Sequence, residues 1–116
     1  MPFVHVRTSR PLDGDARDKL QKEIGALISI LPGKTIDNCM TQLSGGEHLY
    51  MSGAELRDGA FVEVRLFGPS PAEAKKELAL RLFALLEKDF GIAPGQTYMN
   101  YIEMDEWASR GSYSAR

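Results

Sequence analysis

Near the amino end, Val4 and Val6 alternate with Phe3, His5 and Arg7, the two-residue period that predicts a strand over Phe3–Thr8. The Pro11–Gly14 stretch ends it. From Asp15 to Leu31 the apolar residues Ala16, Leu20, Ile24, Leu27, Ile28 and Leu31 recur at intervals of three and four, with charged side chains between them. That spacing predicts a helix with one buried stripe, ended by Pro32-Gly33. A weaker alternation predicts a second strand over Ile36–Leu43, broken by Ser44-Gly45-Gly46, and His48–Met51 suits a short edge strand or hairpin arm.

The pattern then returns. Ala60, Val62, Val64 and Leu66 alternate with Phe61, Glu63, Arg65 and Phe67, giving a strand closed by Gly68-Pro69. Ser70-Pro71-Ala72-Glu73 reads as a helix start, with Ser70 as the cap, proline in the first position and glutamate in the third. Ala74, Leu78, Leu82, Leu85 and Leu86 supply that helix's apolar stripe, which ends near Phe90 at Gly91 and Pro94. Tyr98–Met104 reads as the last strand, with Tyr98, Asn100, Ile102 and Met104 on one side; Asp105–Arg116 is polar and reads as a tail.

Strand-helix-strand thus occurs twice, offset by about 58–60 residues. This predicts an α+β fold in one domain over 1–116, with pseudo-repeats at about 2–43 and 60–104. Right-handed crossovers put both helices on one face of a four-stranded mixed sheet. The strands carry apolar and aromatic side chains on their other face as well, so that face is expected to be buried against other subunits.

Composition narrows the function. With 14 Lys and Arg against 16 Asp and Glu, the net charge is −2 and no basic run stands out. This argues against a nucleic-acid or membrane-surface partner, which needs a concentrated cationic face. Cys39 is the only cysteine, so there is no intramolecular disulfide and no CxxC pair, and a reducing, cytoplasmic setting is expected. No apolar leader or spanning run is visible in MPFVHVRTSR or elsewhere. His5, His48 and Cys39 do not make a ligand spacing, and no metal or cofactor is expected.

The residue with most chemical content is Pro2. With Met1 removed, as a small second residue favours, the chain begins with a secondary amine fixed at the start of a strand. An α-amino group titrates near about 7.7–8.0, and burial or a nearby cation lowers that value. Such an amine can take a proton from carbon beside a carbonyl. With Met1 attached, the Pro2 nitrogen is an amide and cannot.

Met-Pro-Phe-Val-His-Val at the start, Pro32-Gly33-Lys34 after the first helix, the Phe61–Phe67 strand closing on Gly68, and Thr97-Tyr98-Met99-Asn100-Tyr101 together resemble the tautomerase superfamily, in its macrophage migration inhibitory factor (MIF) branch. The resemblance spans nearly the whole chain. It implies a trimer of β-α-β-β-α-β subunits with active sites at the subunit boundaries. It also implies Pro2 as general base or acid and Lys34 as the holder of a substrate carboxylate. Phe67 would offer a backbone amide, and Tyr98 and Asn100 would come from the adjacent subunit as pocket wall and polar contact. The implied reaction is cofactor-free keto-enol tautomerisation of a small aryl 2-oxo acid such as phenylpyruvate.

Taken alone, Lys34 is a solvated loop charge, Tyr98 interface packing and Asn100 a structural hydrogen-bonder. Glu63 and Arg65 share a strand face and form a structural ion pair on that reading, although related branches use arginines near the proline. The chain also departs from the MIF pattern: no tyrosine follows Lys34 in Thr35–Cys39, the CxxC is replaced by Gly59-Ala60-Phe61-Val62, and the stretch containing Trp107 diverges. The alternatives are a non-enzymatic trimeric binding or signalling protein, or an isomerase or hydratase of an unsaturated carboxylic acid using the same proline. An extra arginine in the pocket would favour the last.

Overall fold

Strands β1 (Phe3–Thr8), β2 (Met40–Ser44), β5 (Ala60–Phe67) and β6 (Thr97–Met104) form one sheet in the order β2-β1-β5-β6. The structure, a computed structural model, describes residues 1–116. Helix α1 (Gly14–Leu27) joins the parallel pair β1 and β2, and α2 (Ala72–Phe90) joins the parallel pair β5 and β6. The two units meet along antiparallel β1 and β5, with Phe3 opposite Arg65 and Val6 opposite Val62. A small hairpin, β3 (Tyr50–Met51) and β4 (Ala54–Glu55), precedes β5, and a second, β7 (Glu106–Ser109) and β8 (Ser112–Ala115), ends the chain. The sheet is the mixed α+β arrangement the repeat predicts. No helix is long and apolar enough to cross a membrane.

Alternation decides what each face of the sheet meets. Val4, Val6, Val62, Val64 and Leu66 point to the helices and are buried with Leu20, Ile24 and Ile28 of the first helical segment and Leu78, Leu82 and Leu86 of α2. Each such side chain contributes roughly 1.5–3 kcal/mol by leaving water. Met99 and Tyr101 extend this face from β6, the Tyr101 hydroxyl donating to the Lys75 carbonyl of α2 at 2.6 Å. The opposite face carries charge. Glu63 accepts from Arg65 Nη2 at 3.0 Å and from Arg7 Nη1 at 3.4 Å, and His5 Nε2 lies 2.9 Å from Ser44 Oγ.

Four sequence expectations are corrected. The first α-helix stops at Leu27 and tightens into a 3-10 turn over Ile28–Ile30, as helix ends do when their last carbonyls lack partners. Ile36–Asn38 is a 3-10 turn and β2 begins only at Met40, because the Ile36 side chain is drawn onto α1. A Cβ at Gly25 would lie 2.5 Å from Ile36 Cδ1, so only glycine permits that approach. Ser70 does not cap α2: its amide donates to Glu103 Oε2 at 2.6 Å, and Pro71 takes the cap position without a side-chain bond. The far end follows expectation, with Gly91 left-handed at φ +66° and Ile92 N–H bonding the Leu86 carbonyl at 3.0 Å.

The fourth correction concerns Asp105–Arg116. It is no tail but the β7–β8 hairpin, turned by Arg110 and Gly111 at φ +51° and +83°. Positive φ at both central residues is what a type I′ two-residue hairpin turn requires. Strands of four residues are too short for their alternation to stand out in the sequence.

Candidate active site

Pro2 is buried at the head of β1, its carbonyl accepting from Met40 N–H at 3.0 Å. Met1, Pro2 and Phe3 line a cleft of about 430 Å³ together with Trp107, Ala108, Ser109 and Arg110 of the terminal hairpin. Asn38, Met40, Arg65 and Met104 complete it, so a mostly apolar lining carries two guanidinium groups. Arg65 is already committed: it pairs with Glu63 and sits 6.0 Å from the centre of the Phe3 ring. Arg110 Nη2 donates to the Asp37 carbonyl at 2.8 Å.

Met1 reaches across the cleft. Its sulfur accepts from Ser109 Oγ at 2.8 Å, while its α-amino group lies beside the Lys34 ammonium. Burial first, and then the Lys34 charge, push that amino group below its ordinary range. The Cys39 thiol nearby is pushed up by burial, so it stays a neutral neighbour and not a thiolate.

The structure brings some of the expected residues together and leaves others apart. Pro2 lines the cleft. Lys34, half-buried where the chain leaves Leu31, stands at its amino-terminal end without lining it. Phe67 is half-buried at the end of β5; the β1–β5 register, continued two residues, sets it across from Met1. Tyr98 and Asn100 lie elsewhere. They align with Phe61 and Glu63, hence with Arg7 and His5 of β1, two strands across from Pro2. At 3.3–3.4 Å per residue they stand about 17 and 10 Å along the strand direction from it. Tyr98 is 62% exposed.

No protein-family model matches the chain, and no curated protein does. Solved structures match over nearly its whole length. MIF2 of Leishmania major superimposes with a TM-score of 0.86 at 26% identity, with 97% of each chain covered. A MIF homologue from Prochlorococcus marinus gives 0.81 at 24% identity, covering 97% of this chain and 99% of that one. Pt0534 inactivated by 2-oxo-3-pentynoate gives 0.83 at 16% identity, covering 97% and 95%.

The chain has the MIF-like fold of the tautomerase superfamily. The resemblance drawn from its Met-Pro start and its Tyr-x-Asn-Tyr segment is therefore borne out at the level of fold. A MIF-like tautomerase fold supports isomerase- or tautomerase-type activity in general. Within this fold, the sequence reading missed Asn38, Met40, Met104 and Arg110 as cleft residues. Arg110-Gly111 is not one of the residue pairs that mark a tight hairpin turn, so no local signal pointed to the terminal hairpin. Arg65 and Trp107, which the sequence left open, both line the cleft.

Proposed function

We propose that this protein is a cofactor-independent tautomerase of a small aryl 2-oxo acid, phenylpyruvate-like, with Pro2 as the general base once Met1 is removed. One observation supports this reading: just before β1, Pro2 lines a mostly apolar cleft and the Met1 α-amino group next to it lies beside the Lys34 ammonium. The influences that depress the Met1 amino group would act on a free Pro2 nitrogen at the same end of β1. A fall of one pKa unit, about 1.36 kcal/mol, leaves roughly half of it neutral near pH 7.

The neutral amine takes a proton from the carbon beside the ketone, and the electron pair moves onto the carbonyl oxygen as enolate. The proton then passes from Pro2 to that oxygen, giving the enol; ketonisation is the same path reversed. Lys34 attracts the carboxylate and stabilises the enolate charge, and the Phe67 backbone amide supplies a further polar contact. Pt0534 is inactivated by 2-oxo-3-pentynoate, a 2-oxo acid whose conjugated triple bond accepts an amine nucleophile, which is consistent with such a site.

The assembly belongs to the same proposal. The charged, uncovered sheet face and the exposed Tyr98 suit a homotrimer in which Tyr98 and Asn100 complete a neighbour's cleft. A cytoplasmic location goes with the single cysteine. Arg65 and Arg110 favour one second reading, an isomerase or hydratase of an unsaturated carboxylic acid using the same proline.

The test uses methionine-free protein, verified by intact mass, with enol absorbance as the readout. Pro2→Gly is expected to lose turnover at least about hundredfold while circular dichroism is unchanged. The ascending limb of kcat/KM against pH should lie below the ordinary α-amino range and move up in Lys34→Ala, since removing a cation raises the amine's pKa. Full turnover in Pro2→Gly refutes the proposal, and no turnover by the processed wild type favours the non-enzymatic scaffold.

A further inference from the structure

The cationic groups around the cleft are not equivalent. Arg65 has its charge met by Glu63 at 3.0 Å, and Lys34 lies at the Met1 α-amino end. Arg110, on the terminal hairpin, has no carboxylate within ion-pair distance; its one hydrogen bond, Nη2 to the Asp37 carbonyl, is to backbone. A guanidinium has five N–H donors, so this tether fixes the group and leaves most of them free. No acidic side chain lines the cleft.

Met1 traces one path through the cleft. It extends from Lys34 at its amino group to the Ser109 hydroxyl at its sulfur, past the apolar surface of Phe3, Met40 and Trp107. A ligand lying along that path runs from the Lys34 ammonium over apolar surface to the Ser109 hydroxyl, with the Arg110 guanidinium in the lining, held on the Asp37 carbonyl. Arg110 is also held at φ +51°, a conformation glycine takes far more readily, so an arginine is kept at the turn against backbone preference.

We propose that the β7–β8 hairpin is the specificity element of this cleft: Arg110, with the Ser109 hydroxyl beside it, binds a second anionic group of the substrate, distinct from its 2-oxo acid. The preferred ligands are then dianions with a flat apolar body, such as a ring-carboxylated arylpyruvate, over the monoanionic parent. The substrate class rests on the tautomerase reading, but its recognition is measurable without turnover.

Trp107 is the only tryptophan, and it lines the cleft, so its fluorescence reports occupancy. Methionine-free protein is titrated with phenylpyruvate and with 4-carboxyphenylpyruvate, and enol absorbance is followed in parallel. The dianion is expected to bind about tenfold tighter, the scale of one charge-assisted hydrogen bond. Arg110→Gly, which suits the turn's φ, should bring the affinity ratio close to one, and Arg110→Lys should restore most of it. Equal affinities in the wild type, or a ratio that survives Arg110→Gly, overturn the inference. A preference that follows Arg110 without turnover of either acid refutes the tautomerase reading and upholds the recognition; turnover of both acids without preference does the reverse.

Discussion

The two faces of the central sheet use the same four strands to opposite ends. Toward the helices, Val4, Val6, Val64 and Leu66 are fully buried and interchangeable in kind, so that face contributes stability by area alone. On the other face Glu63 is nearly as buried, at 8% exposure, yet it survives there only because Arg7 and Arg65 supply its hydrogen bonds. The helix face is finished within one chain. The other face is chemically specified but spatially open, and the Pro2 cleft lies at its edge, where β1 begins and the terminal hairpin folds over. The stabilising core and the proposed site are thereby segregated across a single layer of backbone.

The largest effect expected from breaking this contrast is at the helix face. Leu82→Ala, at a 2% exposed position, should cost about 2–5 kcal/mol in urea unfolding, from lost transfer energy plus a cavity. An intermediate effect is expected on the open face. Glu63→Gln should cost about 1–2 kcal/mol at neutral pH, discounted because Arg7 and Arg65 are about two-fifths exposed to solvent. The Arg65 hydrogen bonds above all hold the Glu63 carboxyl below the usual range. Its contribution is therefore complete above the unfolded carboxylate value of about 4.3 and lost as pH falls through the folded value. Stability measured from pH 6 down to 2 should fall less steeply in Glu63→Gln. The smallest effect on the fold is expected at Tyr98: Tyr98→Ala should shift subunit stability by no more than about 0.5 kcal/mol. Under the trimer proposal the same change weakens association, which sedimentation over a dilution series would report.

How much of this was legible depends on length of pattern. β1, β5, α2 and β6 carry six or more residues of clear period, and each lies where alternation or the three-four spacing put it, within a residue or two. Ile36–Leu43 was misread because its alternation is weak and a contact with Gly25, eleven residues earlier, takes Ile36 out of the strand. Ser70 has the right residue types for a cap, but Glu103, thirty-three residues away, claims its amide. Pro2 was legible as a candidate base from the Met-Pro start, and its place in the cleft came from the fold. Arg110 was not, because nothing near it in sequence points to Pro2; the hairpin must fold back across the end of the sheet before they share a cleft.

The sequence by itself determined the two β-α-β units and the sidedness of their strands, because periodicity is a local property and burial follows it. Only the tertiary structure decided which end of the sheet holds the cleft, that Glu63 spends the charge of Arg65 while Arg110 keeps its own, and that Tyr98 and Asn100 stand far from Pro2 within one chain. Those facts depend on strand order and register. Both arise from long-range closure, which brings together residues that share no pattern along the chain.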